Sequence, residues 1–246
     1  NGKSVIIVKG GPGTGKTVIA LHILSKFAKE NNCNGVFYAT RSSALKKQLR
    51  KKLSRIKTMT GGTINAASDI IKNVYDFKPH NYKESEIDLI MIDEAHRVAK
   101  NGSGDSNIDQ NHEAKNFLRQ SISLMYCAKV SVFFIDDLQG VNKKEVGNSD
   151  LIAEAALGYK DCIKEDLENA RTTIAKEREK IEEKKSKLKD DDWKTAEDIK
   201  KSEVDLEKMI KGLKSVNSTF DGEIVPRFEE LKAQFRCNGS DNYLHW

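Results

Sequence analysis

The sequence predicts an α/β fold in which a parallel β-sheet is flanked by helices. Short apolar runs rich in β-branched residues recur at residues 5–8, 36–40, 87–92 and 130–135. Segments with apolar residues at three-to-four spacing alternate with them and predict helices over residues 17–29, 43–56, 64–75 and 113–128. Since strands that are buried on both faces have continuous apolar sequences, this alternation is typical of a parallel sheet covered by helices.

The bulk properties of the chain exclude few classes of protein. Its 246 residues suffice for one large domain and an appendage, and the formal charge of +5 permits a nucleic-acid partner without requiring one. No stretch approaches the roughly 18 apolar residues of a membrane span, and no signal peptide is recognisable, so we expect a soluble, cytoplasmic protein. The scattered cysteines form no CxxC pair, which predicts reduced thiols without a metal cluster: Cys33, Cys127, Cys162 and Cys237.

Residues 161–216 differ from the rest of the chain because they are dominated by Lys and Glu and lack proline. Two apolar seams run through them, separated by an acidic turn: Leu167, Ile174, Ile181 and Leu188, then Ile199, Leu206, Ile210 and Leu213. The spacing predicts two helices folded back as an antiparallel coiled-coil hairpin. Because ordinary globular composition returns afterwards, we divide the chain into a core at 1–160, a helical insertion at 161–216 and a return to the core at 217–246.

A glycine-rich loop follows the first predicted strand and leads directly into a helix. Its residues have the GxxxxGK[ST] spacing of a phosphate-binding (Walker A) loop: Gly10, Gly11, Pro12, Gly13, Thr14, Gly15, Lys16 and Thr17. The glycines let backbone amides surround phosphates, and the helix start adds partial positive charge. We expect Lys16 to reach the β- and γ-phosphates of ATP and the Thr17 hydroxyl to ligate Mg²⁺. A chance match in a glycine-rich turn is the disfavoured reading.

Two adjacent carboxylates, Asp93 and Glu94, follow the third predicted strand. We expect Asp93 to hold Mg²⁺, directly or through water, and Glu94 to polarise the attacking water as a general base. Because a metal ligand and a base need different positions, the adjacent pair favours hydrolysis over binding alone. The plainer alternative is that one carboxylate caps the following segment. His96 is either a coupling residue or a local hydrogen-bonding group.

A third strand end carries Asp136, Asp137 and Gln139. Ligands of open parallel sheets bind beyond the carboxyl ends of the strands, so the three segments can converge on one crevice. We expect Gln139 to sense the γ-phosphate and Asp137 to link the metal and nucleic-acid sites. The alternative is that these residues only punctuate a loop.

The helix predicted after the second strand is basic around an apolar face. Its basic residues are Lys46, Lys47, Arg50, Lys51, Lys52, Arg55 and Lys57. Acidic partners are missing locally, which favours contact with a single-stranded nucleic-acid backbone over an ordinary solvated face. Aromatic residues are sparse here, so base-specific reading is not indicated.

Four strings together resemble the Schlafen-like (group 3) DNA/RNA helicase domain of superfamily-one type: VKGGPGTGKTVIALHIL, IDLIMIDEAHRV, FFIDDLQGV and QFRCNGSDNYLHW. The similarity covers residues 1–158 and 224–246, and the DEAHR and QFRCNGSD strings are more specific than the P-loop. The resemblance implies a RecA-like core, Mg-ATP as substrate, a strand-gripping motif near Thr40 and Arg41, and an Arg236 that contacts the γ-phosphate. Its own sequence context would make Arg236 a surface arginine.

Two departures limit what the resemblance implies. The sequence lacks the second RecA-like domain that supplies a further arginine in such helicases, and the heptad-bearing hairpin is not part of the family pattern. The chain starts at Asn1 and stops at Trp246 within an apolar stretch, so we expect the first RecA-like domain of a longer protein. Loss of an arginine finger can cost on the order of 10³-fold in rate, which predicts ATP binding with slow turnover.

The leading interpretation is therefore an ATP-hydrolysing motor domain of a DNA/RNA helicase or translocase. The alternative is a nucleotide-gated switch that signals to a protein partner through the coiled coil without unwinding. A small-molecule kinase is disfavoured, because Asp93 beside Glu94 suits activation of water better than activation of an acceptor hydroxyl.

Overall fold

The computed structural model describes residues 2–27, 35–60, 70–100, 115–139, 143–188 and 192–232, with the side chains of residues 25 and 52–60 outside that description. Six strands form one sheet: β1 (Ser4–Gly10), β2 (Val36–Thr40), β3 (Ile71–Asn73), β4 (Ile87–Asp93), β5 (Ala128–Ile135) and β6 (Arg227–Leu231). They are ordered β3-β2-β4-β5-β1-β6, and every neighbouring pair is parallel. The predicted parallel sheet is confirmed.

Helices cover both faces of the sheet. They are α1 (Lys16–Phe27), α2 (Ser43–Thr60), α3 (Gln120–Cys127), α4 (Ser149–Leu157), α5 (Tyr159–Ser186) and α6 (Trp193–Ser215). Successive strand side chains point to opposite faces, so each strand contributes to two cores. In one core, Met91 and Phe134 pack together with Leu24 of α1. In the other core, Ile92 and Phe133 pack together with residues of α3, α4 and α5.

The helix predicted over residues 64–75 is wrong from Ile71 onward, and residues 64–69 lie outside the described residues. Ile71–Asn73 pair with β2 as a strand, and Val74–Asp76 form a short 3₁₀ turn. Asn73 caps that turn: its side chain accepts from the Tyr75 amide, and Asp76 accepts in return from the Asn73 amide at 2.9 Å. Pairing with β2 outweighs the local helical spacing.

The helix predicted over residues 113–128 begins later, at Gln120. The Asp166 carboxylate accepts from the Arg119 amide at 2.8 Å and from its guanidinium Nε at 3.0 Å. These bonds hold Arg119 in an extended conformation, so the preceding residues 115–118 lie outside the helix. A contact that is distant in sequence therefore sets the start of α3.

The two long helices α5 and α6 contact each other, and Ile174, Ile181 and Ile199 of the predicted seams are buried. Leu188 is 39% exposed. The acidic turn falls partly on residues 189–191, outside the described residues, and the coiled-coil pairing stays a prediction. Near its C-terminal end, α6 lies very close to the backbone of Lys115: a Cβ added at Gly212 would lie 1.9 Å from the Lys115 carbonyl oxygen.

A buried lysine and a partly buried glutamate lie at the amino-terminal edge of the sheet, and the glutamate joins the start of α5 and the segment after α6 to it. The Lys3 ammonium donates to the carbonyl oxygens of Met125, Tyr126 and Ala128 at 2.9–3.1 Å. The Glu84 carboxylate accepts from Tyr159 at the start of α5 and from four groups of the segment after α6: the Ser218 and Thr219 hydroxyls and the Thr219 and Phe220 amides. One carboxylate thus ties both segments to the sheet.

Across the helices that the structure describes, none is both long and apolar enough to cross a bilayer. Cys127 and Cys162 are free thiols; Cys127 is buried, and burial raises the pKa of its thiol.

Candidate functional site

The carboxyl ends of the parallel strands bring the polar segments of the sequence to one edge of the sheet. The glycine-rich loop leaves β1 at Gly10, the acid pair leaves β4 at Asp93, and Asp136 follows β5 directly. The strand order places β4 and β1 on either side of β5. The three segments are therefore neighbours at the same edge, which is where ligands of open α/β sheets bind.

The loop between β1 and α1 has the backbone conformation that its glycines permit. Gly13 and Gly15 have positive φ angles of 83° and 84°. Residues with a side chain adopt this backbone region only at an energetic cost. A Cβ at Gly10 would lie 2.5 Å from the Thr14 hydroxyl, and that hydroxyl donates to the Gly11 carbonyl at 3.0 Å. Glycine at position 10 is thus required by close packing within the loop.

Lys16 lies in the first turn of α1 and is 8% exposed. Its ammonium donates to the carbonyl oxygens of Gly10 at 2.5 Å and of Gly11 at 2.9 Å. The positive charge is therefore held inside the curve of the loop, beside the amino-terminal end of a helix whose partial charge has the same sign. This arrangement attracts an anion of the size of a phosphate.

Thr17 and Asp93 connect the loop to the end of β4. The Thr17 hydroxyl donates to Asp93 Oδ2 at 2.7 Å, and the buried Tyr38 hydroxyl donates to the same oxygen. Burial and the neighbouring carboxylate raise the pKa of Tyr38, so it stays a neutral donor. A hydroxyl and a carboxylate are oxygen ligands of the kind that Mg²⁺ prefers, so this pair fits a magnesium ion.

Glu94 follows Asp93 with the left-handed backbone angles φ 54° and ψ 44°. This conformation is costly for a residue with a side chain and recurs at functional sites; the other such residue among those described is Ser85, before β4. The Glu94 carboxylate lies 3.1 Å from the ring nitrogen Nε2 of the buried His96. The hydrogen bond from His96 lowers the pKa of Glu94, with a smaller contribution from the charge of Lys16, so the carboxylate is ionised at neutral pH.

The other ring nitrogen of His96, Nδ1, is buried and meets no hydrogen-bond partner among the residues described. His96 therefore places one ring nitrogen on Glu94 and leaves the other buried without a hydrogen-bond partner among the described residues.

The end of β5 is occupied by local contacts. The buried Asp136 accepts from the Leu138 amide at 3.1 Å and from the Gln139 side chain at 3.0 Å. Asp137 accepts from the Ser149 amide at 2.7 Å and lies 3.4 Å from the Lys9 ammonium. Asp137 thus bonds the first residue of α4 in this structure, and Gln139 contacts its own strand end; their predicted roles toward metal, phosphate and nucleic acid stay predictions.

The residues predicted to contact nucleic acid differ in exposure. Thr40 is fully buried and its hydroxyl accepts from the Ser42 amide, while Arg41 is 30% exposed and forms an ion pair with Glu145. On α2, Lys47 is exposed, Lys46 and Arg50 are half-buried, and Arg50 donates to the Ile71 carbonyl at 2.7 Å. Arg236 and the QFRCNGSD string lie outside the described residues.

Two residues at this edge were not identified from the sequence. Tyr38 lies in β2 among apolar neighbours and resembles an ordinary core residue; its signal is its place on a strand next to the one that ends in Asp93. Glu145 is 4% exposed and accepts from Arg41 at 2.5 Å, across 104 residues of sequence. No local pattern marks a buried carboxylate whose partners are this distant.

Comparison with known families identifies the chain. A search of curated protein sequences finds no match. A family model described as the Schlafen group 3 DNA/RNA helicase domain matches residues 3–246, nearly the whole chain. With the parallel sheet and the loop and acid-pair geometry, this match means that the chain belongs to the Schlafen group 3 DNA/RNA helicase domain family.

Proposed function

We propose that this chain binds Mg-ATP at the carboxyl edge of its sheet and hydrolyses it as a motor domain of a DNA/RNA helicase or translocase. The observation that carries the proposal is the 2.7 Å contact between Thr17 and Asp93, since it joins the phosphate loop to the acid-bearing strand end. Membership in a helicase-domain family supports the same function. The core at 1–160 would hold the nucleotide, with residues 217–246 returning to it.

Each side chain of the site has a separate part in the proposed mechanism. The loop amides and Lys16 bind and orient the phosphates, and Lys16 leaves the carbonyls of Gly10 and Gly11 to do so. Mg²⁺, when bound, would neutralise charge on the β- and γ-phosphates, held by Thr17 and Asp93. Glu94 accepts a hydrogen bond from the attacking water and takes its proton, while the bond from His96 fixes the orientation of the carboxylate.

Turnover should be slow in this chain alone. Hydrolysis depends on cations that stabilise the charge developing on the transferred phosphoryl group, and an arginine finger contributes on the order of 10³-fold or more. We propose Arg236 as one such cation and Gln139 as the γ-phosphate sensor. The further arginine that the resemblance implies would come from a second RecA-like domain.

The test of the proposal is Lys16→Ala, compared with Lys26→Ala. Lys26 lies in the last turn of the same helix and is exposed, so the control removes the same charge away from the loop. Removing a charged hydrogen-bond donor should weaken Mg-ATP binding roughly 10- to 100-fold, measured by calorimetry or with a fluorescent nucleotide. If Lys16→Ala holds Mg-ATP as tightly as the parent does, the proposal is lost.

The alternative function is a nucleotide-gated switch that acts on a protein partner through residues 161–216. The observation favouring it is that the segment before α3 contacts both long helices: the Lys115 amide donates to the Lys208 carbonyl of α6 at 3.1 Å, and Arg119 pairs with Asp166 of α5. A predicted coiled-coil hairpin would be a suitable arm for such signalling.

Phosphate release with and without single-stranded DNA or RNA separates the two functions. A motor coupled to nucleic acid should hydrolyse ATP faster when the strand is present, whereas a switch without a nucleic-acid partner should show the same rate. The proposed strand contacts are the basic face of α2 with Lys46, Lys47 and Arg50, together with Thr40 and Arg41. Affinity that falls steeply with added salt would support contact with the phosphate backbone.

A further inference from the structure

Three charged residues meet at the carboxyl edge beside the candidate site. Arg41 Nη1, just beyond β2, donates to Glu145 Oε1 at 2.5 Å and to the Arg97 carbonyl at 2.7 Å. The Arg97 Nε atom lies 3.9 Å from the same Glu145 oxygen. The side chain of Glu145 is 4% exposed, whereas those of Arg41 and Arg97 are 30% and 45% exposed. The anion is thus inside the cluster, and the two cations face solvent.

The backbone fixes Glu145 to the chain that leaves the acid pair. Residues 96–100 pair antiparallel with residues 144–147: the Gly147 amide donates to the His96 carbonyl at 2.9 Å and the Val146 amide to the Val98 carbonyl at 2.7 Å. We name this pairing the edge ribbon. Because Glu145 is held by the ribbon and is buried, its carboxylate cannot follow the Arg41 guanidinium if the latter moves outward.

A guanidinium binds a carboxylate and a phosphodiester through the same fork of N–H donors. Arg41 is partly exposed on the edge where the proposed function places a nucleic-acid strand, and in this structure one nitrogen of its guanidinium, Nη1, donates to the buried Glu145 carboxylate. We propose that Glu145 is a positioning residue that competes with a backbone phosphate of single-stranded nucleic acid for Arg41. The inference rests on the nucleic-acid partner of the proposed function and adds a regulator of strand affinity to it.

The exchange also reaches the nucleotide site. A strand phosphate that takes Arg41 removes that cation from Glu145, while the more distant contact with Arg97 remains. The changed ion pairs act on the edge ribbon, whose residue His96 donates to Glu94. Strand binding and the orientation of Glu94 are connected by this route.

The test measures the affinity of Glu145→Gln for two labelled single-stranded probes, an oligothymidine DNA and an oligouridine RNA, over a series of salt concentrations. Glutamine keeps an acceptor oxygen and removes the competing charge. The variant should bind the oligonucleotide about three- to tenfold more tightly than the parent at about 100 mM salt, and its salt slope should be steeper by about 0.7, the value of one added phosphate contact to a single strand. A purely structural role for Glu145 would not steepen that slope.

Arg41→Ala completes the test in both backgrounds. In Glu145→Gln it should abolish the gain in affinity and the steeper slope, while in the parent it should change the affinity less, because Arg41 is already occupied. Glu197→Gln, which removes an equal charge from the exposed surface of α6, should leave affinity and slope unchanged. If Glu145→Gln does not fold, Glu145→Asp shortens the carboxylate by one methylene and should give a smaller gain of the same kind.

Mg-ATP binding by each protein separates the possible failures. Unchanged or weaker oligonucleotide binding by Glu145→Gln with Mg-ATP binding retained overturns the inference, and so does a gain that survives Arg41→Ala. A parent that binds Mg-ATP but neither oligonucleotide also overturns it, leaving the nucleotide site intact. A parent that does not bind Mg-ATP contradicts the proposed function itself.

Discussion

The two edges of the sheet both carry charged side chains in buried surroundings, but those charges have different partners. At the amino-terminal edge, Lys3 donates to three carbonyls of one chain segment, and Glu84 accepts from one side chain of α5 and four groups of the segment after α6. At the carboxyl edge, Lys16 donates to the loop carbonyls of Gly10 and Gly11, and its charge contributes to lowering the pKa of Glu94.

The difference separates charges that hold the fold from charges that can bind a ligand. Five chain donors surround the Glu84 carboxylate, so little of its hydrogen-bonding capacity is left for another molecule. Glu94 receives one bond from His96, its side chain is 33% exposed, and its backbone is left-handed. Because His96 gives it one bond where Glu84 receives five, Glu94 is the better candidate for a group that acts on a ligand.

The largest effect is expected when Glu94 becomes glutamine. The amide cannot take a proton from water, so turnover should fall by about 10²-fold or more, while Mg-ATP binding and the free energy of unfolding stay near those of the parent. Steady-state phosphate release and calorimetric nucleotide binding measure the two quantities separately. Turnover within a few-fold of the parent would remove Glu94 as the base.

A pH-dependent effect is expected at Lys3 on the opposite edge. Burial lowers the pKa of Lys3 from 10.5 to about 8, so between these values the unfolded chain binds more protons than the folded one. Stability should therefore rise with pH from about 8 to about 10.5 because of this residue. In Lys3→Met that rise should be missing. The unfolding free energy of the parent minus that of the variant should therefore increase by at most about 3 kcal/mol over this range.

Urea unfolding of both proteins below pH 8 and near pH 10.5 measures this difference. Subtracting the unfolding free energy of the variant from that of the parent removes the contribution of tyrosines and other groups that titrate in the same range. A difference that does not change with pH would mean that the three carbonyl acceptors keep the ammonium as stable as it is in water.

Glu84→Gln repeats the Glu94 substitution at the structural edge. A neutral amide has one acceptor oxygen where the carboxylate has two, so amides of the segment after α6 would lose their acceptor, and the protein should lose roughly 2 kcal/mol of stability. Turnover per folded molecule should match that of the parent. Chemical denaturation, together with phosphate release per folded molecule, tests this. Loss of turnover without loss of stability would contradict the assignment of the two edges.

Much of the carboxyl edge could be predicted from sequence because of one geometric property of parallel sheets. Once the apolar runs ending at Gly10 and Asp93 are taken as parallel strands, their ends must lie on the same edge. The contact between Thr17 and Asp93 needs no further information than the strand directions and the helix that starts after the loop. The glycine-rich loop is equally local, since its function depends on residue types at fixed spacing.

The parts that could not be predicted are those determined by distant contacts. The edge strand β6 has the sequence RFEEL and is mostly exposed, so it lacks the continuous apolar pattern of the central strands. Ile71–Asn73 form a strand only because Tyr38–Thr40 lie beside them. The burial of Glu145 depends on two arginines from other strand ends. Residue types alone predict none of these pairings.

The smallest effect sharpens the comparison with one matched pair of tyrosines. Tyr38→Phe removes a hydroxyl that donates to Asp93, and Tyr126→Phe removes one that bonds both the amide and the carbonyl of Asn217 at 3.1 Å. Both hydroxyls belong to buried residues, so each variant should lose about 1 kcal/mol of stability. Only Tyr38→Phe should also raise the Mg²⁺ concentration needed for nucleotide binding, by about tenfold, because groups that orient a metal ligand affect metal affinity to that extent.

Magnesium titrations of nucleotide binding, with urea unfolding of the same preparations, measure both consequences. Equal magnesium dependence in the two variants would mean that the Tyr38 hydroxyl stabilises the fold and does not affect Mg²⁺ binding. An effect of Tyr126→Phe on magnesium dependence would show that the two edges are not independent, because that hydroxyl lies at the end of the sheet away from Asp93 and can influence it only through the strands between them.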